Sequence, residues 1–144
     1  MTLAPARPRP RTTRRSAVGW TWILLSSIAI AVYAVAPYLT APLHELAGDQ
    51  VGLAGGYEGQ PAWVHAAFYT HIVAGGVALL IGPLQFWRGL RERARAVHRA
   101  IGRTYLVAVL VGGLAATALA PVNSAGLVGT FGFGTLGLLW MWTA

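Results

Sequence analysis

Cysteine and lysine are both absent from this chain of 144 residues. Without a thiol there is no disulfide framework, no thiolate metal site and no cysteine nucleophile. Charge is scarce as well, at 10% of residues, and the acidic side chains are only Glu45, Asp49, Glu58 and Glu92. None of them lies in an apolar stretch, so there is no paired-carboxylate site and no intramembrane carboxylate for proton or cation coupling. No Ser nucleophile stands beside a base, no glycine loop fits a phosphate, and no two histidines have zinc-type spacing on one helix. The net charge of +7 comes entirely from arginines in two clusters that flank apolar segments, so it reads as membrane orientation and no nucleic-acid partner is expected.

What the chain does have is apolar length: 56% of its residues are hydrophobic, more than a soluble domain of this size can hide. Four spans are predicted, at about 17–38, 63–87, 101–120 and 125–144. Within 17–38, 63–87, 104–120 and 125–144 the only titratable bases are His65 and His71. Runs of about 17 to 25 residues, at about 1.5 Å per residue, cover the roughly 30 Å hydrocarbon core. The fold class is therefore all-α, a polytopic transmembrane helical bundle. Residues 17–144 form its membrane domain, and 1–16 form a disordered cytoplasmic tail rich in Arg and Pro.

Arginines fall into alternate connections. Arg7, Arg9, Arg11, Arg14 and Arg15 precede the first span, and Arg88, Arg91, Arg93, Arg95, Arg99 and Arg103 surround the second-to-third connection. The other two connections have none, which places the amino terminus and the 88–103 loop inside and the other two loops outside. A cleaved export signal competes for the first segment, because Arg14-Arg15 and the small residues Ala34-Val35-Ala36 have the right chemistry. The apolar run is too long for a signal core and Pro37 follows the cut site, so a retained helix ending near Pro37 is the better reading. The outer connection, 41–60, is rich in glycine with interspersed Leu and Val, and suits a short interfacial helix. The inner one suits a helical turn whose arginines attract anionic headgroups at about 1 kcal/mol each.

The second span is the most specific. At 100° per residue His71, Gly75, Ala78, Gly82 and Gln85 fall within roughly 80°, giving one small and polar face. His71 lies about 12 Å below Trp63, inside the hydrocarbon, where an imidazole needs a partner. The small residues beside it let another helix or a flat cofactor approach, and Gly82-Pro83 supplies a kink. On the third span His98, Gly102, Tyr105, Val109, Gly112 and Ala116 share a face, with His98 near the cytoplasmic headgroups. His71 and His98 are thus expected roughly 20 to 30 Å apart along the membrane normal, too far to ligate one iron. Gly126, Thr130, Gly134 and Gly137 make a packing face on the fourth segment, which ends in Trp140 and Trp142 with no arginine after it. A chain that continues beyond Ala144 is the expectation there. The tryptophans in general are expected near the interfaces.

The series His71-x3-Gly75, Gly82-Pro83-Leu84-Gln85-Phe86, Leu90-Arg91 and His98-Arg99-x2-Gly102-Arg103-x-Tyr105 resembles the bacterial integral-membrane family called domain of unknown function 2306. The resemblance covers roughly 68–120. It implies a multispan bundle in the bacterial plasma membrane, brings no activity, and adds that such proteins usually continue with further spans, in line with a fragment.

Three readings follow. In the preferred one the protein is a structural or accessory bundle without its own catalysis. His71 then bonds a neighbouring helix, Gly82, Pro83, Gln85, Gly102 and Tyr105 form a polar packing face, and Arg91, Arg99 and Arg103 are cytoplasmic anchors. Its partners are the lipid bilayer and further helices of the same protein or a second copy. The alternative is an electron carrier similar to b-type cytochromes, with haem b held by His71 beside Gly75, and His98 serving an inner site. Each histidine there lacks a partner at its own depth, unless His44 folds inward. A transporter or proton relay through His71 and Gln85 is the remaining class.

Overall fold

Every regular element in the computed structural model, which describes residues 13–143, is a helix. They run α1 (Thr13–Thr40), α2 (Leu43–Gly48), α3 (Ala54–Tyr57), α4 (Ala62–Gln85), α5 (Arg88–Arg93), α6 (Arg95–Leu119) and, after a 3-10 turn at Ala120–Val122, α7 (Gly126–Thr143). Three stretches are long and apolar enough to cross a membrane: Ala17–Thr40, Ala62–Gln85 and Arg95–Val122. At 24 to 28 residues they reach about 36 to 42 Å, more than the hydrocarbon thickness. Their outward faces carry large apolar side chains, with Trp22 74% and Tyr33 82% exposed, and no polar or charged residue is buried among the described residues. In water such a surface would cost about 25 cal/mol for each exposed Å², whereas lipid tolerates it and demands the satisfied backbone that helices provide.

Helix boundaries differ from the expected ones in places. α1 begins at Thr13, so the last residues of the expected tail are helical; the rest, 1–12, lies outside the described residues. Pro37 sits inside α1, not at its end. The turn after it is held by Ala41 N–H donating to Pro37 O and by the Thr40 hydroxyl donating to Ala36 O at 3.0 Å. α6 starts within the arginine loop at Arg95, which puts His98, Arg99 and Arg103 on the helix itself. The segment expected as a fourth span is helical, but α7 has 18 residues and is not among the three stretches just named.

α4 is the central element, packed by α1 on one side and α6 on the other, with α7 laid against α6. The α1 contact includes Val35, whose Cγ2 would stand 3.1 Å from a methyl group placed on Gly76. At the end of α4 that leads into α5 the Trp20 indole donates to Pro83 O at 2.9 Å and its ring lies 6.2 Å from that of Trp87. The connection between α1 and α4 is more than a single short helix. Its α2 and α3 bury Leu43, Leu46, Ala54 and Tyr57 against Tyr38, Val64, Phe68, Ile72 and Leu119 in one apolar cluster. Phe68 is the hub, its ring 4.5 Å from that of Tyr57 and 5.1 Å, edge to face, from that of Tyr38. His65 Nε2 donates to Tyr57 O at 2.7 Å and tethers this cap to the first turn of α4.

Candidate functional site

The small faces of α4 and α6 meet along their length. Toward the α5 end Gly82 receives the Tyr105 ring, whose Cε2 would be 3.3 Å from an added methyl, and Gly102 receives Gln85, whose Oε1 would be 3.2 Å away. Ala78 packs with Ala108 and Val109 at the middle. Beyond them His71 Nδ1 lies 3.0 Å from the backbone oxygen of Gly112. A carbonyl oxygen only accepts, so Nδ1 carries the proton and donates across the α4–α6 seam. Gly112 is small for a reason: a methyl there would stand 3.3 Å from Ala74 Cβ and 3.4 Å from the Trp140 ring. Gly75 contributes its backbone N, 3.6 Å from that same added methyl, while its own side has open space.

α7 completes the surroundings of His71. Phe133 and Trp140 stand edge to face with the imidazole, at ring separations of 5.6 Å and 6.5 Å. Between the helices lies a pocket of about 420 Å³ bounded by His71, Ala116, Phe133, Leu136, Gly137 and Trp140, among others. The helix reaches this position through a tight α6–α7 crossing, where a methyl on Gly137 would lie 2.7 Å from Thr117 Oγ1 and 3.1 Å from Gly113 O. Nε2 of His71 has no hydrogen-bond partner among the described residues, and it is not sealed from solvent as Gln85 Nε2 and His98 Nδ1 are.

The remaining candidate residues lie elsewhere. His98, in the second turn of α6, keeps a buried Nδ1 with no partner among the described residues. Gly112, the residue His71 touches, is about 21 Å further along the same helix, so the two histidines belong to separate places. Arg91, Arg99 and Arg103 are exposed on α5 and the first turns of α6. His44 does not fold inward: it sits on α2 with its side chain 70% exposed, 3.9 Å from Glu45. In α5 Arg88 pairs with Glu92; the hydrogen bond between them, and then their charges, raise the guanidinium above its ordinary value. The same hydrogen bond, with that guanidinium and those of Arg91 and Arg93, holds the Glu92 carboxyl below its ordinary value.

Sequence spacing did not join Phe133 or Trp140 to His71. Trp142 is 74% exposed, whereas Trp140 turns inward onto Gly112. The available signal was the series Phe133, Gly137, Trp140, which shares one helical face.

A family model described as a predicted membrane protein, DUF2306, matches residues 68–144. The chain belongs to this family. The DUF2306 match runs from Phe68, the hub of the apolar cluster under α2 and α3, through α6 to α7, and so includes every wall of the His71 pocket. α1 and the α2–α3 cap precede the DUF2306 segment. Neither a curated protein nor a solved structure matches the chain.

Proposed function

We propose that this DUF2306 protein is a structural or accessory membrane module whose α4–α6 pair is a rigid unit fastened by His71. It crosses a bacterial plasma membrane four times, with the amino terminus and α5 in the cytoplasm. The observation that carries the reading is the bond from His71 Nδ1 to Gly112 O, a polar tie between two apolar helices at a depth where water does not compete. The arginine distribution supports the orientation, and α7, exposed at Leu127, Val128 and Phe131, is where further helices or a second copy would pack. Arg91, Arg99 and Arg103 then anchor the inner end at the headgroups.

The test uses two substitutions. His71→Asn keeps an N–H near the position of Nδ1 and should retain the melting temperature of purified protein in detergent. His71→Ala removes the tie and should cost about 1 kcal/mol. Equal melting of all three proteins would remove the fastening role.

The haem reading rests on the free Nε2, since a proton on Nδ1 held by a carbonyl is the arrangement that aims the other nitrogen at a metal. The residues around it do not fit a two-histidine iron. The walls facing His71 are Phe133, Trp140 and Ala116, and the described residues contain no group of three or more His, Cys, Asp or Glu arranged to hold a metal ion. A Soret band that disappears in His71→Asn would establish haem in spite of this.

A further inference from the structure

His71, which lines the pocket beside α7, carries an unpaired nitrogen with a defined hydrogen-bonding sense. Because the Gly112 carbonyl accepts a hydrogen bond from Nδ1–H, the neutral imidazole presents Nε2 as an acceptor, and Nε2 retains accessible surface without a partner among the described residues. An acceptor in hydrocarbon seeks a donor, and water is not supplied at that depth. The walls around it are apolar and aromatic: Phe133, Trp140, Leu136 and Ala116. Leu136 and Leu139 at the rim are exposed, at 66% and 49%, so the pocket opens on the side that lipid occupies. Its volume of about 420 Å³ lies within the range of about 300 to 1,000 Å³ usual for small-molecule sites.

A guest complementary to this site is apolar, carries an aromatic ring, arrives from the bilayer and brings one O–H donor. We propose that the pocket binds a membrane-dissolved aromatic alcohol, a phenol or hydroquinone, whose hydroxyl donates to His71 Nε2 while its ring rests against Phe133 and Trp140. The sense of the hydrogen bond makes the site selective. A hydroquinone offers the proton that Nε2 needs, and the oxidised quinone offers only acceptors, which face Nε2 lone pair to lone pair. The proposal shares with the accessory reading the bond from Nδ1 to Gly112, and adds a role for the opposite nitrogen.

The experiment is equilibrium binding to the full chain in lipid nanodiscs, with empty nanodiscs subtracted, under anaerobic conditions. The probes are a decyl-substituted benzohydroquinone, its oxidised quinone and 4-decylphenol. Saturable binding of the hydroquinone is expected, with the quinone about tenfold weaker or worse, the worth of one hydrogen bond. Decylphenol binding as tightly as the hydroquinone identifies a general phenol site; a marked preference for the hydroquinone identifies a reduced quinone as the guest. His71→Asn, which keeps the N–H toward Gly112 and lacks Nε2, should lose the hydroquinone by a similar factor at an unchanged melting temperature. A lowered melting temperature with hydroquinone selectivity intact in the wild-type protein counts against Asn as a substitute for the interhelical tie, and leaves the binding site standing. Equal affinity for the two redox forms, no saturable binding, full binding by a folded His71→Asn protein, or a His71-dependent Soret band would each overturn the proposal.

Discussion

Tyr38 shows how much one hydroxyl organises beneath α2 and α3. Its oxygen accepts the Leu53 N–H at 2.8 Å, while its ring meets Phe68. Gly52 passes directly over that hydroxyl at a φ of 54°, a left-handed conformation that glycine adopts without penalty. Tyr38→Phe should therefore cost about 1 kcal/mol, measured as a melting temperature lower by a few degrees, because the Leu53 N–H loses its partly buried partner. Nearby, burial and then the proximity of Tyr38 push the Tyr57 hydroxyl above its ordinary value. At this scale the sequence is informative about donors and poor about acceptors. His71 stands out because an imidazole in an apolar run needs a partner, whereas the oxygen it finds, Gly112 O, is a group every residue possesses. No sequence pattern distinguishes that carbonyl from its neighbours.

Among the elements, α7 depends on a backbone-to-backbone approach. Its Gly137 crosses α6 at Gly113 and Thr117, so Gly137→Val must displace main chain, and overpacking of this kind costs about 1 to 3 kcal/mol. The expected result is a detached α7, read as a red shift in the fluorescence of Trp140 relative to a Trp140→Phe control carrying the same valine. The face Gly126, Thr130, Gly134, Gly137 was legible as a packing stripe from spacing alone, and Gly134 and Gly137 do approach Ala120, Gly113 and Thr117. The aromatic wall on the same helix was not, because Phe133 and Trp140 look like lipid-facing residues until the crossing fixes the rotation of α7. Short α5 has a weaker device in its Arg88–Glu92 pair. The Glu92 carboxyl is lower in the folded protein than its ordinary 4.5, so any stabilisation is present above that value and is lost as pH falls through the lower folded value. Both side chains are exposed, and the difference in melting temperature between wild type and Glu92→Gln should be small, should shrink in high salt, and should vanish in acid.

For the molecule as a whole, the lack of native cysteine makes orientation directly measurable. A single cysteine replacing Arg93 should react with a membrane-impermeant maleimide only after permeabilisation, and one replacing Glu45 should react in intact cells. Both reacting from the same side would end the proposed topology and its cytoplasmic arginine face. The sequence by itself determined that lipid is the solvent, that helices are the only regular structure among the described residues, and which faces are small: these follow from composition and a 3.6-residue period, both local properties. Tertiary structure decided which small face meets which. It placed His71 against Gly112, turned Trp140 inward, and folded the connection between α1 and α4 into a packed cap with Phe68 at its centre. Those outcomes depend on the rotation and crossing of whole helices, which are set by close contact among glycines and aromatic rings far apart in the chain.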